Sequence, residues 1–376
     1  MAHKSFSASD IRERNHRMVF HIARRQGELL RPEISRETGM TPPTVMKVVQ
    51  SFVERGILVE AGEAETTLGR RPMRLVFNPG AALAVGILFE GGEMHAGVVD
   101  LSGNVIRSSR IPMEHAFTMD TLPVIVRSIG ELTKGIDAPL LGIGLGVPGV
   151  VDAGKHIIEL APLIGIVRPM DCRAICQEIR NRTGLTLCMD NDVNAAALGE
   201  YYTRRLPGEE DLLYISVGTG IGAGIVLNGK LRRGSRNLAG ELGYAVHNAS
   251  FRVDRARPGW LESQIGADAL QRRFQWAGYG HGDGVPSGLV DFIVGHLSPM
   301  VANLATQLDI KLVVVGGRAV DCLGDALMAP LAARIAGLSL EPGQVERSQS
   351  PAPGVAGAAI QIIDAMLDGW LAERDE

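Results

Sequence analysis

The chain has 376 residues, 45% of them hydrophobic and 21% charged, with a net charge of −4. That length allows two or three domains, and the balance excludes a wholly disordered chain, a collagen-like one and a charge-driven coiled coil. Four cysteines without a Cys-x-x-Cys argue against a disulfide-built secreted scaffold, and the 46 glycines fall in clusters that mark tight turns.

Residues 1–79 hold 13 basic and 9 acidic side chains, a net +4, while the remainder is −8. A small basic piece joined to a larger acidic one suits a polyanion partner for the first. Nothing after Met1 resembles a signal peptide, and no segment holds roughly 20 uninterrupted apolar residues, so a cytoplasmic chain outside the membrane is expected. The spacing of Ile11, Met18, Val19 and Ile22 predicts a helix over residues 8–25. A second helix runs from Pro32 to Glu37 and stops at Gly39. Thr41 is the expected N-cap of a third, with Pro42 in its first turn and its end near Val53. Val45, Val49 and Phe52 of that helix point inward, Lys47 and Gln50 outward. Residues 57–60 and 73–77 read as a strand pair whose connection ends in Gly69, Arg70, Arg71 and Pro72.

This is the pattern of a winged helix-turn-helix, with the third helix expected in a major groove and the wing arginines over phosphates or in a minor groove. The DNA-contacting candidates are Thr41, Pro43, Thr44, Lys47, Gln50, Arg70 and Arg71. Thr44 suits a phosphate near the helix N-terminus, Lys47 a phosphate or a base, and Gln50 a base edge.

Pro79-Gly80 marks a boundary. Strands are expected over residues 83–89, 94–99, 104–108 and 141–147, with a helix over 122–133, which together describe an α/β body with a mixed sheet. A second strand–glycine turn–strand unit at 212–227 looks like a loose duplication of the one at 83–99. Between them, Asp190, Asn191, Asp192 and Asn194 stand where a strand meets an alanine-rich helix. Capping and the bracketing of polyol hydroxyls both explain that cluster, and residue types leave both open. Glu241 and Glu262 add two carboxylates among glycines and apolar residues. The last third is helical around one strand at 311–315, with helices over 287–308, 321–336 and 357–372.

Several runs occur in order: Gly142-x-Gly144-x-Gly146-x-Pro148-Gly149, Asn191-Asp192-x-Asn194, Gly218 to Gly224, Ala239-Gly240-Glu241-x-Gly243 and Val315-Gly316-Gly317. With the N-terminal motif, they give a chain that resembles the ROK (repressor, open reading frame, kinase) family, and within it the winged-helix regulators. The resemblance implies an α/β, two-lobed, actin-like and ribonuclease-H-like domain over residues 80–376 behind a winged helix-turn-helix at 1–79. One lobe would hold approximately 80–190 plus the C-terminal helix, the other 191–355. It implies a sugar held by Asn191, Asp192, Glu241, Tyr244 and Glu262, with Asp192 at the position of the kinase base.

Two departures shape the expectation. Leu88, Glu90 and Gly92 replace the Asp, Gly and Thr of the family's first phosphate loop, so no enzyme activity and no cofactor are expected, with Asp192 a relic. Tyr244, Val253, Arg255 and Trp260 replace the His and three Cys of its zinc motif, so no metal is expected. The resulting expectation is a sugar-responsive repressor that binds a palindromic operator as a homodimer or dimer of dimers. The alternatives are an active sugar kinase with an added DNA-binding domain, and a ligand-independent DNA-binding protein.

Overall fold

Apolar residues every three to four positions coil the first segment into α1 (Ala8–Gln26), which buries Val19, Phe20 and Ala23. The structure, a computed structural model, describes residues 8–63, 73–113, 117–207, 210–276 and 284–372. After α1 come β1 (Glu28–Leu30), α2 (Arg31–Thr38), α3 (Pro42–Glu54), β2 (Leu58–Glu63) and β3 (Met73–Phe77). Gly39, with φ 69°, ends α2 in the left-handed conformation that a glycine adopts without strain. Thr41 has the extended backbone of an N-cap, yet its hydroxyl meets that of Thr44 at 2.9 Å and caps no amide. Thr41 is thus the N-cap the sequence predicts, by its backbone and not by its side chain. Strand β3 lies between β1 and β2, antiparallel to both. The sequence reading has no β1, because three residues are too few to show a period of two. Arg70 and Arg71 lie outside the described residues.

The body is built from two sheets of one topology. The first uses β4 (Leu83–Glu90), β5 (Glu93–Asp100), β6 (Val105–Pro112) and, after α4 (Leu122–Thr133), β7 (Leu140–Val147). A small sheet of β8 (Val150–Asp152), β9 (Ile157–Leu160) and β10 (Met170–Asp171) follows, then α5 (Arg173–Thr183) and β11 (Leu187–Asn191). Helix α6 (Asp192–Thr203) leads to the second sheet, of β12 (Leu212–Val217), β13 (Ile221–Leu227) and β14 (Lys230–Leu231). Then come α7 (Trp260–Ile265), α8 (Ala267–Phe274), α9 (Leu289–Leu308), β15 (Leu312–Gly316), α10 (Arg318–Leu323), α11 (Asp325–Ala336), β16 (Gln344–Arg347) and α12 (Pro353–Ala372).

The strand orders are β6-β5-β4-β7-β11 and β14-β13-β12-β15-β16. In each, an antiparallel meander is extended on its first strand by two parallel strands. The duplication glimpsed in the glycine turns therefore extends to whole sheets. Gly91 (φ 59°) and Gly92 (φ 79°) make the two-residue turn between β4 and β5, where both positive φ angles require them. The helix expected over 321–336 is two helices, broken at Gly324 (φ 51°, ψ −134°). The last helix starts at Pro353, since proline fits a first turn.

Helices α9 and α12 are long and apolar enough to cross a bilayer by composition, but their buried faces belong to the cores of the second and first lobes. The seat of α12 is unusually close. A Cβ on Gly144 of β7 would collide with the Ala358 carbonyl oxygen, and one on Gly357 with that of Ala195 in α6. Both Gly144→Ala and Gly357→Ala are therefore expected to destabilise the fold by about 3 kcal/mol, as overpacking against backbone does at its upper range. Urea midpoints with unchanged m-values measure this, and wild-type midpoints would contradict the close seat.

Candidate functional site

The strand β11 ends at the N-terminus of α6, and this junction holds the expected polar cluster. Asn191 caps α6: its Oδ1 accepts from the Asn194 amide at 2.9 Å. Its Nδ2 donates to the Gly149 carbonyl at 2.8 Å and to Asp192 Oδ1 at 3.0 Å, so neither amide hydrogen is left for a ligand. Asp192 Oδ1 also accepts from the Val193 amide at 2.9 Å. Behind them Asp190, 1% exposed, accepts from Asn194 Nδ2 at 3.2 Å, Arg233 Nε at 2.8 Å and Gln361 Nε2 at 3.2 Å. The sequence reading grouped Asp190 with the polyol candidates; the structure makes it a buried post joining β11 to α12 and to the segment after β14.

Asn191, Asp192, Glu241, Tyr244 and Glu262 line one cavity of about 470 Å³, within the usual range for small-molecule sites. Its far wall is apolar, with Phe89, Met113, Phe117, Leu163, Ile166 and Met170. Burial pushes the Asp192 carboxyl well above its ordinary range, and Glu90 and Glu241 push it further. Burial, then Glu262, raises Glu241 to about 7. Glu262 is raised by burial against one opposing hydrogen bond, from the Ile221 amide at 3.0 Å. Among the described residues, three hydroxyls at this cavity, on Thr118, Thr219 and Tyr244, find no hydrogen-bond partner. A second chamber of about 750 Å³ adjoins the first, sharing Glu90, Asp192 and Thr219, and holds His95, Arg110, Arg318 and Arg347. The Trp260 ring, at one of the positions of the family's zinc cysteines, lies 6.1 Å from His247 and 6.0 Å from His296 and packs on the core beside the second sheet.

On α3 the buried stripe is Val45, Val48, Val49 and Phe52, which leaves Pro43, Lys47 and Gln50 exposed on the opposite face and Thr44 half-buried. Gln50 Nε2 donates to Glu54 Oε1 at 2.8 Å, holding the amide along the helix. Met46 shares this face and is 60% exposed. The sequence analysis did not single it out, because Met46 borders the apolar Val45–Val49 stripe and no spacing sets it apart from that stripe.

The contact between α1 and the body was also not foreseen. Arg24, 4% exposed, places its guanidinium carbon 3.9 Å from the Tyr202 ring centroid and donates to Asp364 Oδ1 at 3.2 Å. Tyr202 donates its hydroxyl to Asp364 Oδ2 at 3.1 Å. Arg17 forms a two-pronged pair with Asp368 at 2.6–2.9 Å, and Arg55 donates to the Leu371 carbonyl. Thus α1 is bound to the end of α6 opposite the cavity and to α12. These partners are about 160 to 350 residues apart in sequence, so no local pattern announces them.

The pattern of the ROK family matches residues 84–360. The chain belongs to the ROK family. Over 226 residues it is 31% identical to the xylose repressor of Caldicellulosiruptor bescii, covering 58% of this chain and 55% of that one. Over 166 residues it is 32% identical to the glucokinase of Streptomyces coelicolor, covering 43% and 49%. The chain thus aligns with about half the length of each of these relatives. A crystal structure of a ROK transcriptional regulator, a homologue of the Escherichia coli MLC protein, superposes with a TM-score of 0.74 at 21% identity, covering 96% of this chain and 98% of that one. It shows the same α/β ROK fold. The expectation that this chain is no enzyme does not stand: a ROK glucokinase is as similar to it as a ROK repressor is, so the altered first phosphate loop does not decide against catalysis.

The raised carboxyls set a pH dependence. Glu241 titrates near 4.5 when unfolded and near 7 when folded, so the folded state holds the extra proton between them. Stability should therefore fall as pH rises from about 4.5 to 7. Glu241→Gln should make that fall shallower, as read from Tm against pH; an unchanged slope would contradict the assigned environment.

Proposed function

We propose that this chain is a sugar-responsive transcriptional regulator, a cytoplasmic repressor that binds a palindromic operator as a homodimer or dimer of dimers. In this reading residues 1–79 are a winged helix-turn-helix, with α2 and α3 the helix pair and β2–β3 the wing. Residues 80–376 are the effector and association body. Thr41, Pro43, Thr44, Lys47 and Gln50 face DNA from α3, and Arg70 and Arg71 reach it from the wing. The exposed α3 face supports the docking surface, and the xylose repressor supports the sugar-linked regulatory role.

The observation that carries the proposal is the binding of α1 to both long helices of the body. Helix α6 begins at Asp192 in the cavity and ends beside Tyr202 on Arg24, while α12 offers Asp364 to the same guanidinium. A ligand that shifts α6 relative to α12 would change the seat of α1, and with it the spacing of two recognition helices in a dimer. Coupling of this kind requires the ligand to favour one arrangement over the other.

Two measurements test the reading. Lys47→Ala should weaken operator binding and lower the slope of log K against log salt by about one if the side chain meets a phosphate. Unchanged affinity and slope would remove α3 from the interface. Arg24→Met should leave sugar and operator binding in place but abolish the effect of sugar on operator affinity. A variant with wild-type response to sugar would overturn the route through α1.

A further inference from the structure

The outward face of α3 carries an apolar group that packing within the chain does not explain. Pro43, Met46, Lys47 and Gln50 are exposed and spaced by three and four residues, so they form one continuous patch turned away from Val45, Val48, Val49 and Phe52. Among the described residues of 1–79, the exposed large hydrophobic side chains are Ile11, Met46 and Val59, and Met46, at 60%, is the most exposed of them. It sits in the first half of α3, the part of a recognition helix that reaches base edges.

Two polar neighbours of Met46 are already engaged. Gln50 commits an amide hydrogen to Glu54 at 2.8 Å, and the Thr44 and Thr41 hydroxyls meet at 2.9 Å. Lys47 is exposed beside Met46, in a piece whose sequence carries a net +4. That charge favours a polyanion over a second copy of the same face, which would bring like charges together. The base edges of a major groove offer hydrogen-bond donors, acceptors and one apolar group, the 5-methyl of thymine. A thioether against any other edge would strip water from a donor or acceptor and return no bond. Against thymine it buries apolar area on both sides.

We propose that Met46 is a sequence-reading residue, which packs on the 5-methyl group of one thymine in each operator half-site and rejects the other bases at that position. The proposal rests on the reading of α3 as the DNA-docking helix. Met46 then contributes to sequence preference and not to salt dependence, because an uncharged side chain neutralises no phosphate and releases no counterion.

The test uses DNA duplexes selected from a random library by the full chain, with each thymine replaced in turn by deoxyuridine, which removes the methyl group and keeps the base pair. For the wild type, replacement of one thymine per half-site should lower affinity about fourfold, the worth of one buried methyl group. In Met46→Ala the thymine-to-deoxyuridine ratio should fall towards one at that position and stay unchanged at every other, with the salt slope kept. The ratio is independent of how much of each preparation folds. If Met46→Ala keeps the wild-type ratio at every thymine while Lys47→Ala still weakens binding, Met46 reads no methyl group and the docking of α3 stands. If neither substitution alters binding, or the full chain selects no duplex, both fall. A changed oligomeric state in Met46→Ala, with all ratios kept, would assign this face to a second copy of the chain and overturn the proposal.

Discussion

The close seat of α12 is the constraint on which the remainder depends. Its backbone lies against β7 at Gly144 and against α6 at Gly357, too near for any side chain to intervene. Helices at this distance move as a pair or separate as units, since packed interiors are not continuously deformable. The pair joins the two sheets, carries the cavity's Asp192 at one end and holds Arg24 near the other. Fold, cavity and the position of α1 therefore share one packed interface.

Electrostatics divide the body into unlike chambers that meet at Glu90 and Asp192. One is acidic and partly apolar; the other contains the arginines. The glycine turn between β4 and β5 brings Glu90 to their junction, where burial raises its carboxyl. A turn that resembles an altered phosphate loop in the sequence thus supplies charge to the first chamber. Kinship to both a repressor and a glucokinase means that the loop's altered residues define the charge of the site without deciding its chemistry.

Elements were legible where local physics sufficed. The period of α1, the Gly39 stop, the Pro42 start and the Gly91-Gly92 turn each depend on residues within a few positions, and the structure has them. Strand β1 was not legible, because three residues show no period and its pairing with β3 is set from 46 residues away. At the cavity, Asn191 was read as open between cap and ligand contact. Its tertiary neighbour Gly149 takes one of its amide hydrogens, so capping dominates its bonding.

The sequence by itself determined most of the order of elements, the family resemblance, the basic N-terminal piece and three of the carboxylates at the cavity, Asp192, Glu241 and Glu262. Only the tertiary structure decided that those carboxylates share one lining without a described cation, that Asp190 is a buried post, and that Arg24 connects α1 to Tyr202 and Asp364. Sequence encodes local preference within a few residues. Burial and charge pairing depend on which distant segments the packed helices bring together, and here that is settled by the approach of α12 to α6.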